Sequence, residues 1–383
     1  MKHKILTILM IVALVFTFLA MVPSTAFANS DLEDQLNQTI DGQLGNIDFD
    51  GVNQFADGTF VQDIVSKIKL ILSGEFDDAT SFIQFAFKVL FSGFSKSLPT
   101  LLGVFAIILL CSLLTTNNAF VSLGNQKLVY AVTFVVVVVL IFADLSTIYN
   151  QVYSTIGNLS QLIDSSMPIM LSLMIATGNK VSAKVYQPMV ALLSGTVIKS
   201  ISQIILPLAT FSLAFTIISN LSDNVKIGKL TSFVGNASSW LLGITFMLFS
   251  AFMTVEGISA SSLDGVSIRA MKFATKNYVP MLGGYLSDGF DMIVASATLI
   301  KNSFGLVTLL LLLGMVLSPI LNILAYKLTL QALCAILEPV CDKRFLKFFG
   351  TINKNLTFLI VLMIAVSFMF SLMLTLTIYT ANG

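Results

Sequence analysis

Apolar residues run along this chain in long uninterrupted blocks, parted by short polar stretches, with little of the alternation that marks half-buried strands. From residue 98 onward the blocks fall at 98–114, 128–147, 165–177, 185–198, 201–218, 233–255, 279–300, 304–324, 328–337 and 357–379. About 20 apolar residues carry a helix across a hydrocarbon core of roughly 30 Å. Lipid offers an open backbone no hydrogen-bond partner, so each block predicts helix. The expected fold is all-α, a polytopic transmembrane helical protein with about seven to ten membrane segments, some short or re-entrant.

Ahead of these blocks the pattern changes twice. Lys2 and Lys4, an apolar core from Ile5 to Met21 and the small-residue site Ala26-Phe27-Ala28 read as a cleavable signal peptide over 1–28, which places Asn29 outside the cytoplasm. Residues 29–97 form an extracytoplasmic arm, acidic and turn-rich at first. Phe60, Ile64, Ile68 and Ile71 then recur at helical spacing, and a Phe-rich stretch holding Phe82, Phe85 and Phe91 follows, so two amphipathic helices are expected. They could pack on each other as a small subdomain or lie in the membrane surface. The polytopic membrane domain spans 98–380.

Composition agrees: of 383 residues 56% are apolar and 11% charged, and mean hydropathy is +0.91. A net charge of +1 leaves no electrostatic footprint for nucleic acid. His3 is the only histidine and sits in the expected signal peptide, so Ser-His-Asp and Cys-His nucleophiles, His-ligated metals and His relays are unavailable to the mature chain. Cys111, Cys334 and Cys341 read as small apolar helix residues without CxxC spacing. The sequence therefore predicts no enzyme, no catalytic residue, no cofactor and no metal site.

Lys and Arg in short loops set orientation. With Asn29 outside, Lys127, Lys180 and Lys184 fall inside and a cation-free loop at 148–164 falls outside. Lys226, Lys229 and the cluster Lys343, Arg344, Lys347 and Lys354 also fall inside. The stretch 255–280 lands outside with three cations, against the rule.

Pro168 and Pro207 are spaced as Pro280 and Pro319 are, with similar residues around the first of each pair. Read as an internal repeat over 165–220 and 279–337, these four prolines are candidate helix breaks of the kind that build sites in transport folds. The alternative is that membrane helices simply tolerate proline. Ionisable residues between apolar blocks need a protein or water partner, and Glu256, Asp264, Arg269, Lys272, Lys276, Asp288 and Asp291 are the candidate pathway or docking residues. Arg269, Lys272 and Lys276 share one helical face, which suits either anionic headgroups or a pathway wall. Lys199 and Lys301 sit at ends of apolar runs, where snorkelling suffices.

The run "TVEGISASSLDGVSIRAMKFATKNYVPMLGGYLSDGFDMIVASATLIKNSFG", 254–305, resembles the characteristic segment of the stage III sporulation protein AE family. The "PIMLSLMIATG" segment and the apolar C-terminal helix fit the same family, over about residues 98–380, while 29–97 resembles it only in kind. The resemblance implies a multi-pass protein of the mother-cell-derived membrane around the forespore. Its implied partners are membrane lipid, the other stage III sporulation A-operon proteins and, across the intermembrane space, stage II sporulation protein Q, with a homo-oligomer left open. The implied role is a subunit of the mother cell–forespore channel needed for endospore development. Broken apolar segments and embedded charges suit a conduit or permease-like component; the lack of a strong site suits a non-conducting scaffold.

Overall fold

The computed structural model describes residues 39–40, 42–45, 47–56, 59, 64–72, 79–116, 126–221, 227–278 and 283–379, with side chains except at 79–82, 116, 127, 221 and 256–291. The expected signal peptide lies outside these residues. Every regular element among them is helical: α1 (Asp50–Asn53), α2 (Ile64–Leu72), α3 (Ala79–Thr116), α4 (Gln126–Ala176), α5 (Lys180–Leu192), α6 (Leu206–Leu221), α7 (Gly228–Tyr278), α8 (Gly283–Leu337) and α9 (Lys343–Tyr379). Between α5 and α6 the chain stays helical through two π turns, Leu193–Val197 and Ile201–Ile205, around three α-helical residues, Ile198–Ser200.

Among the described residues six helical segments are long and apolar enough to cross a membrane, and several of the expected apolar blocks fuse into single helices. Blocks 128–147 and 165–177 belong to the single helix α4, whose 51 residues extend over about 75 Å. The loop expected at 148–164 is helix. Its polar residues Asn150, Asn158, Gln161 and Asp164 are exposed, while Val152, Ile156, Leu159 and Ile163 are buried, so polarity there marks a face and not a break. Blocks 185–198 and 201–218 fuse in the same way, as do the described part of 279–300, from Gly283, and blocks 304–324 and 328–337 within α8.

Two of the candidate helix breaks, Pro168 and Pro319, lie inside α4 and α8, which continue as α-helix on both sides. Pro207 is the second residue of α6, directly after a π turn. Pro280 lies outside the described residues.

α2 buries Ile64 and Ile68 completely and packs on α8. The Phe-rich stretch continues without a break into the first membrane block as α3. Phe91, Leu102 and Leu110 are exposed along α3, as a lipid-facing side would be.

α8 and α9 form the centre. Two-thirds of the most apolar window of each is buried in protein, against 22–39% for the others. Among apolar helices in lipid the hydrophobic effect gives no net attraction, so close packing and interhelical hydrogen bonds must hold the bundle. Both are present. A Cβ on Gly93 of α3 would lie 2.9 Å from Ala325 Cβ of α8, so these backbones approach as only glycine allows. Near it Ser97 Oγ and Thr329 Oγ1 are 3.1 Å apart, and Lys327 Nζ donates to Thr357 Oγ1 at 2.7 Å, tying α8 to α9.

The contacts define two opposite ends. At one, Tyr130 stacks edge-on against Phe345, the Tyr130 hydroxyl donates to the Asn220 carbonyl and Ser112 Oγ donates to the Val340 carbonyl, gathering the ends of α3, α6 and α8 with the starts of α4 and α9. At the other, Phe49 meets Phe304, Gln43 Nε2 donates to Ser296 Oγ and a Cβ on Gly51 would touch Ser165, so the arm seats against the middle of α8 and the far part of α4. Lys301 belongs to this second end and does not snorkel. It is wholly buried, and Nζ donates to the carbonyls of Thr377 at 3.1 Å and Ile378 at 2.8 Å, two of the last-turn acceptors of α9 that no intrahelical donor can reach.

Candidate functional site

A hydrophilic crevice of about 550 Å³ opens between α6, the start of α7 and the start of α9. It lies at the end of the bundle opposite the arm. Each wall is one face of an otherwise apolar helix. On α6 the sequence places Ser212, Thr216, Ser219 and Asn220 three or four apart, and on α7 Thr231, Gly235 and Ser238 likewise. α9 adds Lys347, Thr351, Lys354 and Asn355, while Phe348, Phe349, Ile352 and Leu356 turn into the core.

α6 and α7 can approach because of Gly235, where a Cβ would lie 3.0 Å from Ser212 Oγ. Ser212 Oγ donates across the gap to the Thr231 carbonyl at 3.4 Å. Thr216 Oγ1 donates to the Ser212 carbonyl and Asn220 Nδ2 to the Thr216 carbonyl, so these buried groups spend their donors on their own helix. Their oxygen lone pairs remain for water or a solute. α9 is anchored beside the crevice by Asp342, whose Oδ1 accepts from the Arg344 amide at 2.9 Å as a helix N-cap. The Arg344 guanidinium lies 4.6 Å from the Tyr130 ring centre, which fixes the entry of α9. Chemically, the crevice lining offers hydroxyls, amides and two ammonium groups.

The seven charged candidates fall elsewhere. Glu256, Asp264, Arg269, Lys272 and Lys276 lie on α7 beyond residue 255, and Asp288 and Asp291 near the start of α8, where only the backbone is described. Among the described residues no group of three His, Cys, Asp or Glu could hold a metal. Sequence reading missed the crevice, although small polar residues at three- and four-residue spacing inside apolar helices were the available signal. It also passed over Asp144, on α4, which accepts from Thr100 Oγ1 at 3.4 Å through one oxygen while the other is buried and unpartnered.

All three cysteines are free. Cys341 sits in the turn between α8 and α9, and burial pushes its thiol up to about 12, with Asp342, Cys334 and Cys111 adding to the shift. A raised value suppresses the thiolate, so iodoacetamide at pH 8 should alkylate Cys341 in the folded protein about a thousandfold more slowly than an ordinary cysteine. Mass spectrometry before and after unfolding measures this; equal rates would contradict the half-buried placement of the Cys341 thiol.

The family description "Stage III sporulation protein AE (spore_III_AE)" matches residues 62–381. The chain belongs to this family. The stage III sporulation protein AE of Bacillus subtilis (strain 168) is 27% identical over 295 residues, covering 77% of this chain and 73% of that protein. No solved structure matches. The family match takes in all six membrane-spanning segments and the crevice, and reaches back to residue 62, so α2 and the whole of α3 lie within it, beyond the 98–380 expected. Membership implies a role in sporulation, and the six segments suggest a multi-pass membrane protein.

Proposed function

We propose that this family member is a non-enzymatic membrane subunit of the mother cell–forespore channel and works as a conduit or permease-like component, with the crevice as one mouth of its path. The observation that supports this is the crevice itself, a polar cleft among helices whose outer faces carry exposed Phe211, Phe233 and Trp240. Polar walls of this size cost stability in lipid unless water or solute fills them.

Orientation follows from the same account. If each of the six segments crosses once and the arm is extracytoplasmic, the crevice end faces the cytoplasm, and Lys229, Lys343, Arg344, Lys347 and Lys354 lie there as positive charge at a cytoplasmic face should. Lys180 and Lys184 move to the arm's side, because residues 148–164 are helix. The membrane is then the mother-cell-derived one around the forespore. The arm's side faces the intermembrane space, where stage II sporulation protein Q and the other A-operon products would meet it.

Gly350 allows a direct test. It lines the crevice, and a Cβ built there meets nothing within 4 Å, so Gly350→Phe should fill the cleft without disturbing the core. The exposed Gly243 on α7 likewise has open space around it, and Gly243→Phe serves as the control. Both variants should accumulate in membranes, while Gly350→Phe alone should lower heat-resistant spore counts by at least about a hundredfold. Normal sporulation with a filled crevice would favour a non-conducting scaffold.

A further inference from the structure

Electrically the crevice is one-sided. Lys347 and Lys354 are seven residues apart on α9, so both ammonium groups border the same cleft, with Thr351 between them. Among its described lining residues there is no Asp or Glu. The Asn236 and Asn355 side-chain amides add N–H donors, while the hydroxyls of Ser239 and Thr351 donate to the Gly235 and Lys347 carbonyls of their own helices. The first turn of α7 also faces in, through Gly228, Thr231 and Ser232. This turn starts a 51-residue helix, and the earliest amides of any helix lack intrahelical acceptors and carry its positive dipole end.

We infer that the crevice selects small anions, solutes carrying phosphate or carboxylate groups, over neutral and cationic ones. The inference rests on the reading of the crevice as a wet mouth of the path. Its volume of about 550 Å³ is that of a small-metabolite site. Two cations bordering a cleft with low-dielectric walls focus the field and raise the local concentration of anions. A cation entering would meet repulsion from both lysines, and no described lining carboxylate offsets it. Lys347 and Lys354 set the sign of the selectivity, and the Asn236 and Asn355 amides supply hydrogen bonds to the anionic oxygens.

A charged pair of thiol reagents of similar size measures this field at the site. In full-length protein with Cys111, Cys334 and Cys341 replaced by alanine, Thr351→Cys or, on the facing helix, Ser239→Cys supplies the thiol. Membranes from sporulating cells, permeabilised so that both faces are reached, are treated with the anionic sulfonatoethyl or the cationic trimethylammonioethyl methanethiosulfonate. Relative to a free thiol in solution, the anionic reagent should be favoured by at least about tenfold at either position. Lys347→Gln with Lys354→Gln should abolish the preference, and millimolar inorganic phosphate should slow labelling only when the lysines are present. If both reagents react with the solution ratio, or phosphate gives no protection, anion selection fails while the wet crevice stands. If neither reagent reacts at either position, although the thiols titrate after unfolding, the crevice is not wet and the conduit reading falls with the inference.

Discussion

Replacing Lys301 with methionine should detach the end of α9 from α8. Methionine nearly matches the lysine stem in volume, so the packing is kept and the substitution isolates the ammonium group. Two effects oppose each other. Burying a lone cation is expensive, and removing it recovers that cost. Against this, Nζ donates at 3.1 and 2.8 Å to the Thr377 and Ile378 carbonyls, and it stands at the negative end of the α9 dipole. Once the ammonium is gone these acceptors are left in an enclosed, apolar place. Hydrogen bonds to charged groups contribute about 1.5–3 kcal/mol each, so the loss should outweigh the recovered desolvation and leave the variant about 2–4 kcal/mol less stable. In detergent the melting temperature should fall, and proteolysis after residue 370 should become faster, with spore counts reduced in step. A Lys301→Met protein as stable and as protease-resistant as the parent would mean that this lysine does not cap α9.

The sequence pattern announces most of this architecture, because apolar blocks in a chain with so few charges leave helices in lipid as the only solution. Family resemblance is equally legible in 254–305. Continuity of the helices is not. Asn150, Asn158 and Asp164 look like punctuation in a linear reading, yet they are spaced so that one side of α4 stays apolar, and only the burial of Val152, Ile156, Leu159 and Ile163 reveals the face. Lys301 misleads for a related reason. Its position at the end of an apolar run suggests an interface, whereas its acceptors come from the far end of another helix.

The crevice was hidden by distribution. Its walls come from Ser212 to Asn220, Gly228 to Ser239 and Lys347 to Phe358, and each stretch taken alone resembles an ordinary membrane helix with a few hydroxyls. Small hydroxyl residues can bond back to their own helix, as Thr216 and Ser238 do, so their presence does not by itself predict water. Only when three such faces meet does the lining become polar on every side. The charged residues of 256–291 attracted sequence reasoning because charge is conspicuous. Lys347 and Lys354, placed in a basic cluster that orientation alone could explain, did not.

Gly305→Leu should be the most damaging single substitution in the bundle. Gly305 lies one helical turn after Lys301 on the same face of α8, and a Cβ there would come 2.5 and 2.6 Å from the Ile378 side chain and 3.3 Å from Met170 Cε. Real side chains do not tolerate the first two distances, so something must move. Ile378 is buried, and its carbonyl is already held by Lys301, so α9 cannot retreat without breaking the cap. Met170 closes the opposite side from α4, and Phe304 next to Gly305 carries the arm's Phe49. Alanine should cost about 1–3 kcal/mol, as overpacking does. Leucine, with three more carbons aimed at the same place, should exceed what a domain of ordinary stability can absorb and leave little protein in the membrane. Immunoblots of membrane fractions and spore counts would show it, and wild-type abundance of Gly305→Leu would refute the close α8–α9 crossing. Coupling gives a finer check. If Lys301 is what prevents α9 from yielding, Lys301→Met and Gly305→Ala should together destabilise by clearly less than the sum of the two alone, since the freed helix end can move aside for the methyl group.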